Sequence, residues 1–436
     1  MNKQHYLAAR EVISILQSQK FIAYFNGGWV RDLLMRHPSN DIDIVTNAPI
    51  SVTQKLFAKT IPVGINFGIL IVVHKGHQFE IATFRKESDY RDGRRPSYVT
   101  TATPEEDAKR RDFTINGMFY DPIANLLYDY VNGQKDIKKK IIRAIGNPDL
   151  RFREDRLRMI RAVRYAVRFH FTIEAKTVEA IIQESCDLFP SVSIERIWNE
   201  LQKMSSLRNF HQALILLYEL GLLIVIFPDL KDTTLETIQH NLQDLPKFPK
   251  ETPLIIKILE LFPKYSLDQK LALCTYMKAS KQDKALAIFW HKFKRILTVL
   301  PIKKTDWQPL VEFYAHPQAN LFLQIMKKKL TNIDQNIFEK QHSELQKALI
   351  DPIQRKKKHI FLLTGAALMQ QGVLPGPHVK ALLEEGEYLS IIHNLHTPNA
   401  VFKKLQQSQM WKNYLMQRNS IAVSYTHLRA HETRHD

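Results

Sequence analysis

Cysteine is nearly absent from this chain of 436 residues. Only Cys186 and Cys274 occur, far apart and without metal-like spacing. A disulfide framework is thereby excluded, and the usage fits a reducing cytoplasm. Long apolar runs are also missing. The longest, Ala213 to Phe227, is broken by Glu219 and Gly221 and reads as buried helix, turn and helix rather than a membrane span. The opening Met-Asn-Lys-Gln-His-Tyr lacks the apolar core of a signal peptide. No fixed-period repeat and no long low-complexity segment is present. Acidic residues are outnumbered, 44 against 62 Lys plus Arg, for a net charge of +18 and a pI near 9.6. Such an excess favours a polyanionic partner, although a generally basic proteome gives the same balance. Hydrophobic and charged contents of 44% and 24% are those of ordinary globular proteins, and the length allows two to four units.

Along the chain, two regimes follow one another. Leu7, Val12, Ile13 and Leu16 have helical spacing. Phe21 to Phe25 reads as a strand, Val30 to Met35 as a helix, and Asp41 to Val45 as an alternating strand. Phe67 to His74 and Gln78 to Phe84 form two strands turned by Lys75-Gly76-His77. Gly93 and Pro96 mark an Arg- and Asp-rich loop. Pro104 precedes Glu105-Glu106-Asp107, an acidic first helical turn. The first ~145 residues are thus mixed α and β. After Pro148, helical periodicity dominates to about residue 420. The basic runs Lys327-Lys328-Lys329 and Arg355-Lys356-Lys357-Lys358 lie in this helical half, either as solvated faces or as a stripe facing a polyanion.

Four constellations carry chemistry. Residues 27 to 43 read Gly-Gly-Trp-Val-Arg-Asp-Leu-Leu-Met-Arg-His-Pro-Ser-Asn-Asp-Ile-Asp. Glycines let a backbone approach phosphates closely. Asp41 and Asp43, two apart on a strand, direct both carboxylates to one side and suit Mg²⁺ bound with substrate phosphates. Glu80 is an acid in an apolar strand and is read as buried, which is costly unless it is paired or metal-bound; it completes a three-acid site with Asp41 and Asp43 or pairs with an arginine such as Arg85. In Arg110-Arg111-Asp112-Phe113-Thr114-Ile115-Asn116-Gly117, an arginine clamps phosphate while Asp112 and Asn116 share a helix face, or Asp112 caps the helix that follows. In Arg151 to Arg164, the arginines Arg158, Arg161 and Arg164 recur every three residues and Asp155 lies beside Arg158. A carboxylate accepting from an exocyclic amine, with an arginine donating to ring nitrogen or carbonyl, reads cytosine or adenine and rejects guanine and uracil. A surface salt-bridge ladder is the alternative.

Taken in order, Gly-Gly-x-Val-Arg-Asp with Asp-x-Asp, Arg-Arg-Asp-Phe-Thr-Ile-Asn, Glu-Asp-x-x-Arg-x-x-Arg-x-x-Arg and Ile194-Glu195-Arg196-Ile197 resemble the motifs of class II tRNA nucleotidyltransferases and bacterial poly(A) polymerases. Leu363-Thr364-Gly365, Gly372 and Pro375-Gly376-Pro377 resemble the RNA-binding tail of the CCA-adding members. The resemblance spans about residues 20 to 395. It implies an α+β protein: a nucleotidyltransferase head with a small mixed sheet flanked by helices (1–145), then an all-helical neck with a base-recognition helix (146–210), body (211–350) and RNA-binding tail (351–422). It implies that Gly28 and Arg31 bind triphosphate, and that Asp41, Asp43 and Glu80 hold two Mg²⁺ ions. Arg111, Asp112 and Asn116 would hold sugar and phosphate. Asp155, Arg158, Arg161 and Arg164 would bind the nucleotide, with Asp155 and Arg158 on the base. The implied reaction is template-independent addition of CCA to tRNA 3′ ends from CTP and ATP, in the cytoplasm and without a membrane.

The chain departs from the family at Asn116-Gly117, where Asn-Ala is usual; on a helix start this costs roughly 0.5–1 kcal/mol. A poly(A) polymerase, or a partial CC- or A-adding enzyme, would share the motifs through the neck. Poly(A) polymerases typically carry a Gly-Arg-Arg-Phe-Arg type stretch, whereas Val63-Gly64-Ile65-Asn66-Phe67-Gly68 here is uncharged. A non-catalytic RNA-binding module would have lost a metal acid, and a small-molecule nucleotidyltransferase would not need the long basic helical half. No His-Asp phosphohydrolase motif appears. The last stretch, Val423 to Asp436, resembles a translated sequencing adapter fused to an incomplete gene, in which case the native C-terminus is missing. It is expected to be disordered, and its His427, His431 and His435 are not taken as a metal site.

Overall fold

The computed structural model describes residues 3–37, 39, 41–64, 68–90, 96–298 and 302–418. The expectation for residues 423–436 lies outside the described residues. Two compact units make up the chain. One contains residues 1–246, 253–265 and 272–280, and the other 247–252, 266–271 and 281–436.

The first unit opens with helix α1 (Lys3–Ser18), which buries Ala8, Ala9, Val12, Ile13 and Leu16. Leu7, expected on that face, is exposed. Strands β1 (Ala23–Asn26), β2 (Ile44–Thr46), β3 (Thr60–Gly64), β4 (Ile69–His74), β5 (His77–Thr83), β8 (Met118–Asp121) and β9 (Leu126–Asp129) form one mixed sheet in the order β3-β4-β5-β2-β1-β8-β9. The β4–β5 turn has positive φ at Lys75 (50°) and Gly76 (78°), as a two-residue hairpin requires. Between β1 and β2 lies α2 (Gly27–Leu34), and α3 (Ile50–Leu56) follows β2.

Alternation decides which side chains face which layer. Phe25, Ile42, Ile44 and Ile81 pack with α1 on one face of the sheet. Val45, Phe84 and Phe119 pack on the other face with Ala108 of α4 (Pro104–Lys109). The strand expected over 41–45 is shorter and begins at Ile44, but residues 41–43 keep its alternation: Ile42 is buried while Asp41 and Asp43 point away from it.

Two differences from the sequence reading concern strands. Where a loop was read around Gly93 and Pro96 there is an antiparallel pair, β6 (Arg85–Tyr90) with β7 (Pro96–Thr101), Gly93 itself lying outside the described residues. Its strands have no apolar alternation, so nothing in the pattern announced them. Within the stretch read as all helical, β11 (Thr172–Ile173) pairs in parallel with β10 (Ile141–Ile142).

From Gly133 on, helices dominate: α5 (Gly133–Lys139), α6 (Pro148–Glu154), α7 (Leu157–Phe169), α8 (Ala175–Glu184), α9 (Leu188–Ser191), α10 (Ile194–Ser205), α11 (Phe210–Glu219) and α12 (Leu222–Ile226). Gly221, at φ 74°, turns α11 into α12 as the interrupted apolar run implied. The second unit is helical throughout its described residues. It holds an aromatic cluster of Phe289, Phe293, Phe313 and Phe322, and a separate core around Leu363, Leu382, Val401 and Trp411. No helix among the described residues is long and apolar enough to cross a membrane.

Gly117 is explained by packing rather than by a helix start. It ends a 3₁₀ turn over Thr114–Asn116, and a Cβ there would lie 2.7 Å from Val131 Cγ2 and 3.1 Å from Ile145 Cδ1. The larger Val131 and Ile145 occupy the space a methyl group would take. We therefore expect Gly117→Ala to cost about 1–3 kcal/mol through overpacking, and a second substitution, Val131→Ala, to recover part of that loss. Denaturant unfolding of both variants measures it, and an unchanged midpoint for Gly117→Ala refutes the clash.

Candidate active site

Residues 26 to 196 enclose a cavity of about 580 Å³, within the range of ligand sites. Seven arginines and five aspartates line it. Ten of the twelve residues singled out in the sequence are on its wall: Gly28, Arg31, Asp41, Asp43, Arg111, Asp112, Asn116, Asp155, Arg158 and Arg161. Glu80 and Arg164 are not.

Register explains the acids. In the parallel β2–β5 pair, Ile44 faces Ile81. One residue back, Asp43 therefore lies beside Glu80, both on the face opposite the isoleucines. Glu80 is exposed, so it is not the costly buried acid that its apolar strand suggested. Asp43 is pushed up to about 6, first by burial and then by repulsion from Asp41 and Glu80, with only Arg111 opposing. Among the described residues no three His, Cys, Asp or Glu side chains are gathered closely enough to hold a metal by themselves. The raised Asp43 nonetheless marks a place short of positive charge, which suits a hard cation with further oxygen ligands from substrate.

The arginines are held by carboxylates. In α4, Thr103 and Glu106 form a capping box that places Asp107 in the first turn, fully buried. One Asp107 oxygen accepts from Arg110 Nε and Nη2 (2.9 and 2.7 Å), the other from Arg111 Nε and Nη2 (3.1 and 2.8 Å). Burial opposes ionisation of Asp107, but Arg111 and then Arg110 outweigh it and hold the carboxyl below the usual range. Arg111 also donates to Asn26 Oδ1 (3.2 Å). It passes so close to Gly27 that a Cβ there would lie 3.1 Å from Nη1, and Gly27 has φ 61°. The first glycine of the opening motif thus serves both the turn and the arginine.

Asp112 and Asn116 meet, though not on an α-helix. The turn between them is 3₁₀, and Asp112 Oδ1 accepts from Phe113 N (2.8 Å) and Asn116 Nδ2 (3.0 Å). Its other oxygen takes a bidentate pair from Arg161, Nε at 2.9 Å and Nη2 at 2.6 Å. Burial works against the Asp112 carboxylate, yet Arg161, the Asn116 hydrogen bond and Arg158 together hold it far below the ordinary range. Asn116 Oδ1 accepts in turn from Arg31 Nη1 (2.6 Å), and Arg31 also pairs with Asp32 and lies over the Phe169 ring at 4.7 Å.

The expected Asp155–Arg158 neighbour pair does not form. Asp155 sits between α6 and α7 with φ −153°, outside both helices. Its oxygens accept from Leu157 N (3.1 Å) and Arg196 Nη2 (2.8 Å). Arg158 instead donates to Glu154 (2.6 Å) and to the carbonyls of Arg151 and Arg110 (3.0 and 3.3 Å). Both side chains still line the cavity. Arg164 turns inward to Glu200 (2.6 Å) and under Tyr165 at 4.2 Å, which takes it off the cavity wall.

Sequence reasoning missed Asp32, Arg110, Arg168 and Arg196 as cavity residues. Arg168 extends the basic spacing of α7 by one more turn, a signal that was available. Arg196 lay inside the quoted Ile-Glu-Arg-Ile segment. Its Nη1 is buried and has no hydrogen-bond partner among the described residues.

Comparison with known proteins agrees with this geometry. Residues 23–143 match the poly A polymerase head domain, and residues 170–234 match the probable RNA and SrmB- binding site of polymerase A. A CCA-adding enzyme of Pediococcus pentosaceus is 33% identical over 388 residues, 87% of this chain and 92% of that protein. One of Oceanobacillus iheyensis is 32% identical over 425 residues, 93% of this chain and 98% of that protein. The crystal structure of the Bacillus stearothermophilus CCA-adding enzyme in complex with CTP has a TM-score of 0.76 and 26% identity, covering 96% of this chain and 100% of that one.

The raised Asp43 has a pH signature. Between about pH 4 and 6 the native carboxyl binds a proton that the unfolded chain has already released, so its contribution to stability falls as pH rises through that window and is lowest above it. A divalent cation held by Asp41 and Asp43 would remove that penalty. We expect Mg²⁺ to raise Tm more at about pH 7.5 than at about pH 5. Asp43→Asn should raise the metal-free Tm at the higher pH and abolish most of the Mg²⁺ response. Differential scanning calorimetry measures both, and a Mg²⁺ shift independent of pH and of Asp43 contradicts the assignment.

Proposed function

Because this chain belongs to the family of CCA-adding enzymes, we propose that its cavity transfers CMP and AMP from CTP and ATP to the 3′ end of tRNA, completing the CCA sequence. One observation supports this most: a single cavity brings Asp41 and Asp43 together with an arginine set and with Asp155 and Arg158. A polyphosphate would meet the arginines, a divalent cation the two aspartates, and a base edge Asp155 and Arg158. On this reading residues 1–145 are the catalytic head, 146–210 the neck, 211–350 the body and 351–422 the RNA-binding tail, working in a reducing cytoplasm.

The RNA 3′-oxygen bonds to the α-phosphorus while the bond to the leaving pyrophosphate breaks. Gly28 and Arg31 at the start of α2 face the triphosphate. Arg111, oriented by Asp107, and Arg161, oriented by Asp112, neutralise its charge without rearranging when it arrives. Asn116 and Asp112 orient the ribose. Asp41 and Asp43, with Glu80 beside Asp43 on the neighbouring strand, would hold two Mg²⁺ ions, whose chemistry would be to lower the pKa of the 3′-hydroxyl and to stabilise the charge gathering on phosphorus. Asp155 accepts from the exocyclic amine that cytosine and adenine share, and Arg158 donates to the neighbouring acceptor. Arg196 and the Leu157 amide each take one lone pair of Asp155, leaving others for the base. Arg164 acts from behind the wall, through Tyr165 and Glu200.

The direct test uses the purified protein, tRNA lacking its 3′ end, and each nucleoside triphosphate alone and in combination, with products sequenced. The expected product gains C, C and then A. Tails of A alone, or no addition, overturn the reading.

Base selection has its own test. Asp155→Ala removes an acceptor to the shared amine, and a hydrogen bond to a charged group contributes roughly 1.5–3 kcal/mol, or about 10- to 150-fold in rate. We expect kcat/KM for CTP and ATP to fall by that amount and rejection of UTP and GTP to weaken. Unchanged values for all four nucleotides would show that Asp155 serves only to hold Arg196.

A further inference from the structure

The second unit holds a cavity of about 810 Å³ that the transfer reaction does not use. Its floor is aromatic. Phe289 and Tyr314 line it, each 9% exposed or less, and Phe289 is backed by the ring of Phe313 at 5.5 Å. His316 lies on Phe289 with ring centroids 3.9 Å apart and planes 25° from parallel. Its Nδ1 accepts from the backbone N–H of Gln318 at 3.1 Å, which fixes the ring in that plane. Burial lowers the pKa of His316, so at neutral pH the ring is an uncharged aromatic plate. Phe289 occupies one face of the imidazole, and His316 itself is half-buried and lines the cavity.

The rim has the complementary chemistry. Lys356 and Lys357, in the last turn of the helix Ile350–Lys357, are exposed and border the cavity. Gln346 and Asn320 supply amide donors and acceptors. The carboxylate on the wall, Glu312, is paired through both oxygens with Lys292 at 2.7 Å, so it does not repel an anion as a bare charge would. Aromatic rings, amides and two exposed lysines lining one cavity are the parts that take a nucleobase carrying a phosphate.

We propose that this cavity is a second nucleotide-binding site, in which a base stacks on His316 and its phosphate is held by Lys356 and Lys357. The ligand is either a free nucleotide or an unstacked nucleotide of an RNA chain. The proposal concerns binding alone and does not depend on the transfer activity of the head.

Binding to the full-length protein tests it. Equilibrium dialysis with ATP counts sites per chain, and fluorescence anisotropy with labelled hexaadenylate measures RNA affinity. Two variants are compared with the wild type: His316→Ala, and the double charge reversal Lys356→Glu with Lys357→Glu, whose exposed positions leave the core intact. We expect both variants to lose one ATP site per chain, or to bind hexaadenylate at least about 5-fold more weakly, the effect of removing one stacked base. Loss of the ATP site identifies a free nucleotide as the ligand; weakening confined to hexaadenylate identifies RNA. The result is read as the difference between variant and wild type, so it stands whether or not the head also binds ATP. If neither variant changes either measurement, if the lysine reversal alone weakens hexaadenylate binding, as loss of charge from the RNA-binding tail would, or if only His316→Ala has an effect and its Tm is lowered, the proposal is overturned.

Discussion

Guanidinium groups gathered round one cavity repel each other, and the carboxylates that hold them in place are the constraint on which the first unit depends. Seven arginines line a space of about 580 Å³. Leaving so many cations partly desolvated without partners would be strongly unfavourable. Asp107 therefore grips Arg110 and Arg111, Asp112 grips Arg161, Asp155 grips Arg196, and Glu154 grips Arg158. These pairs are not chiefly a source of stability, since buried ion pairs roughly break even against their desolvation. What they achieve is position: each guanidinium is oriented by the fold itself, so that an anion entering the cavity would meet groups whose cost of ordering was met during folding rather than binding.

The same network joins parts of the chain that the sheet alone would leave separate. Arg161 and Arg158 belong to α7, whereas Asp112 and the Arg110 carbonyl belong to the segment after α4. The parallel β10–β11 pair adds backbone hydrogen bonds to the same junction. The surface that would read a base and the surface that would bind phosphate thus share one rigid wall. Glycine is what lets the wall close at two points. Gly27 admits Arg111 beside the start of α2, and Gly117 yields its volume to Val131 and Ile145.

Much of this was legible in the chain because it is local. The acids Asp41 and Asp43, the β4–β5 hairpin, the capped acidic turn of α4 and the buried α11–α12 pair all follow from spacing, capping chemistry and turn residues within a few positions. So did the membership of ten residues in one cavity, through motifs met in a fixed order. The β6–β7 pair escaped because its polar strands carry no period, and Glu80 was read as buried because an apolar strand says nothing about which of its faces is covered.

By itself the sequence determined the fold class and the positive charge, and it singled out the residue types that a nucleotide would need. Tertiary structure decided who pairs with whom. Asp155 was read as the neighbour of Arg158, three residues on, but its partner is Arg196, forty-one residues away; Asp112 binds Arg161 at a separation of forty-nine. Spacing along a chain restricts partners only at three or four residues, within one helical face. Beyond that, many carboxylates and guanidinium groups of equal charge compete, and only the packing of α7 against α10 and against the turn after α4 selects among them. The aromatic plate of His316 on Phe289 came from the same source, since two rings twenty-seven residues apart meet only where the end of one helix packs against another.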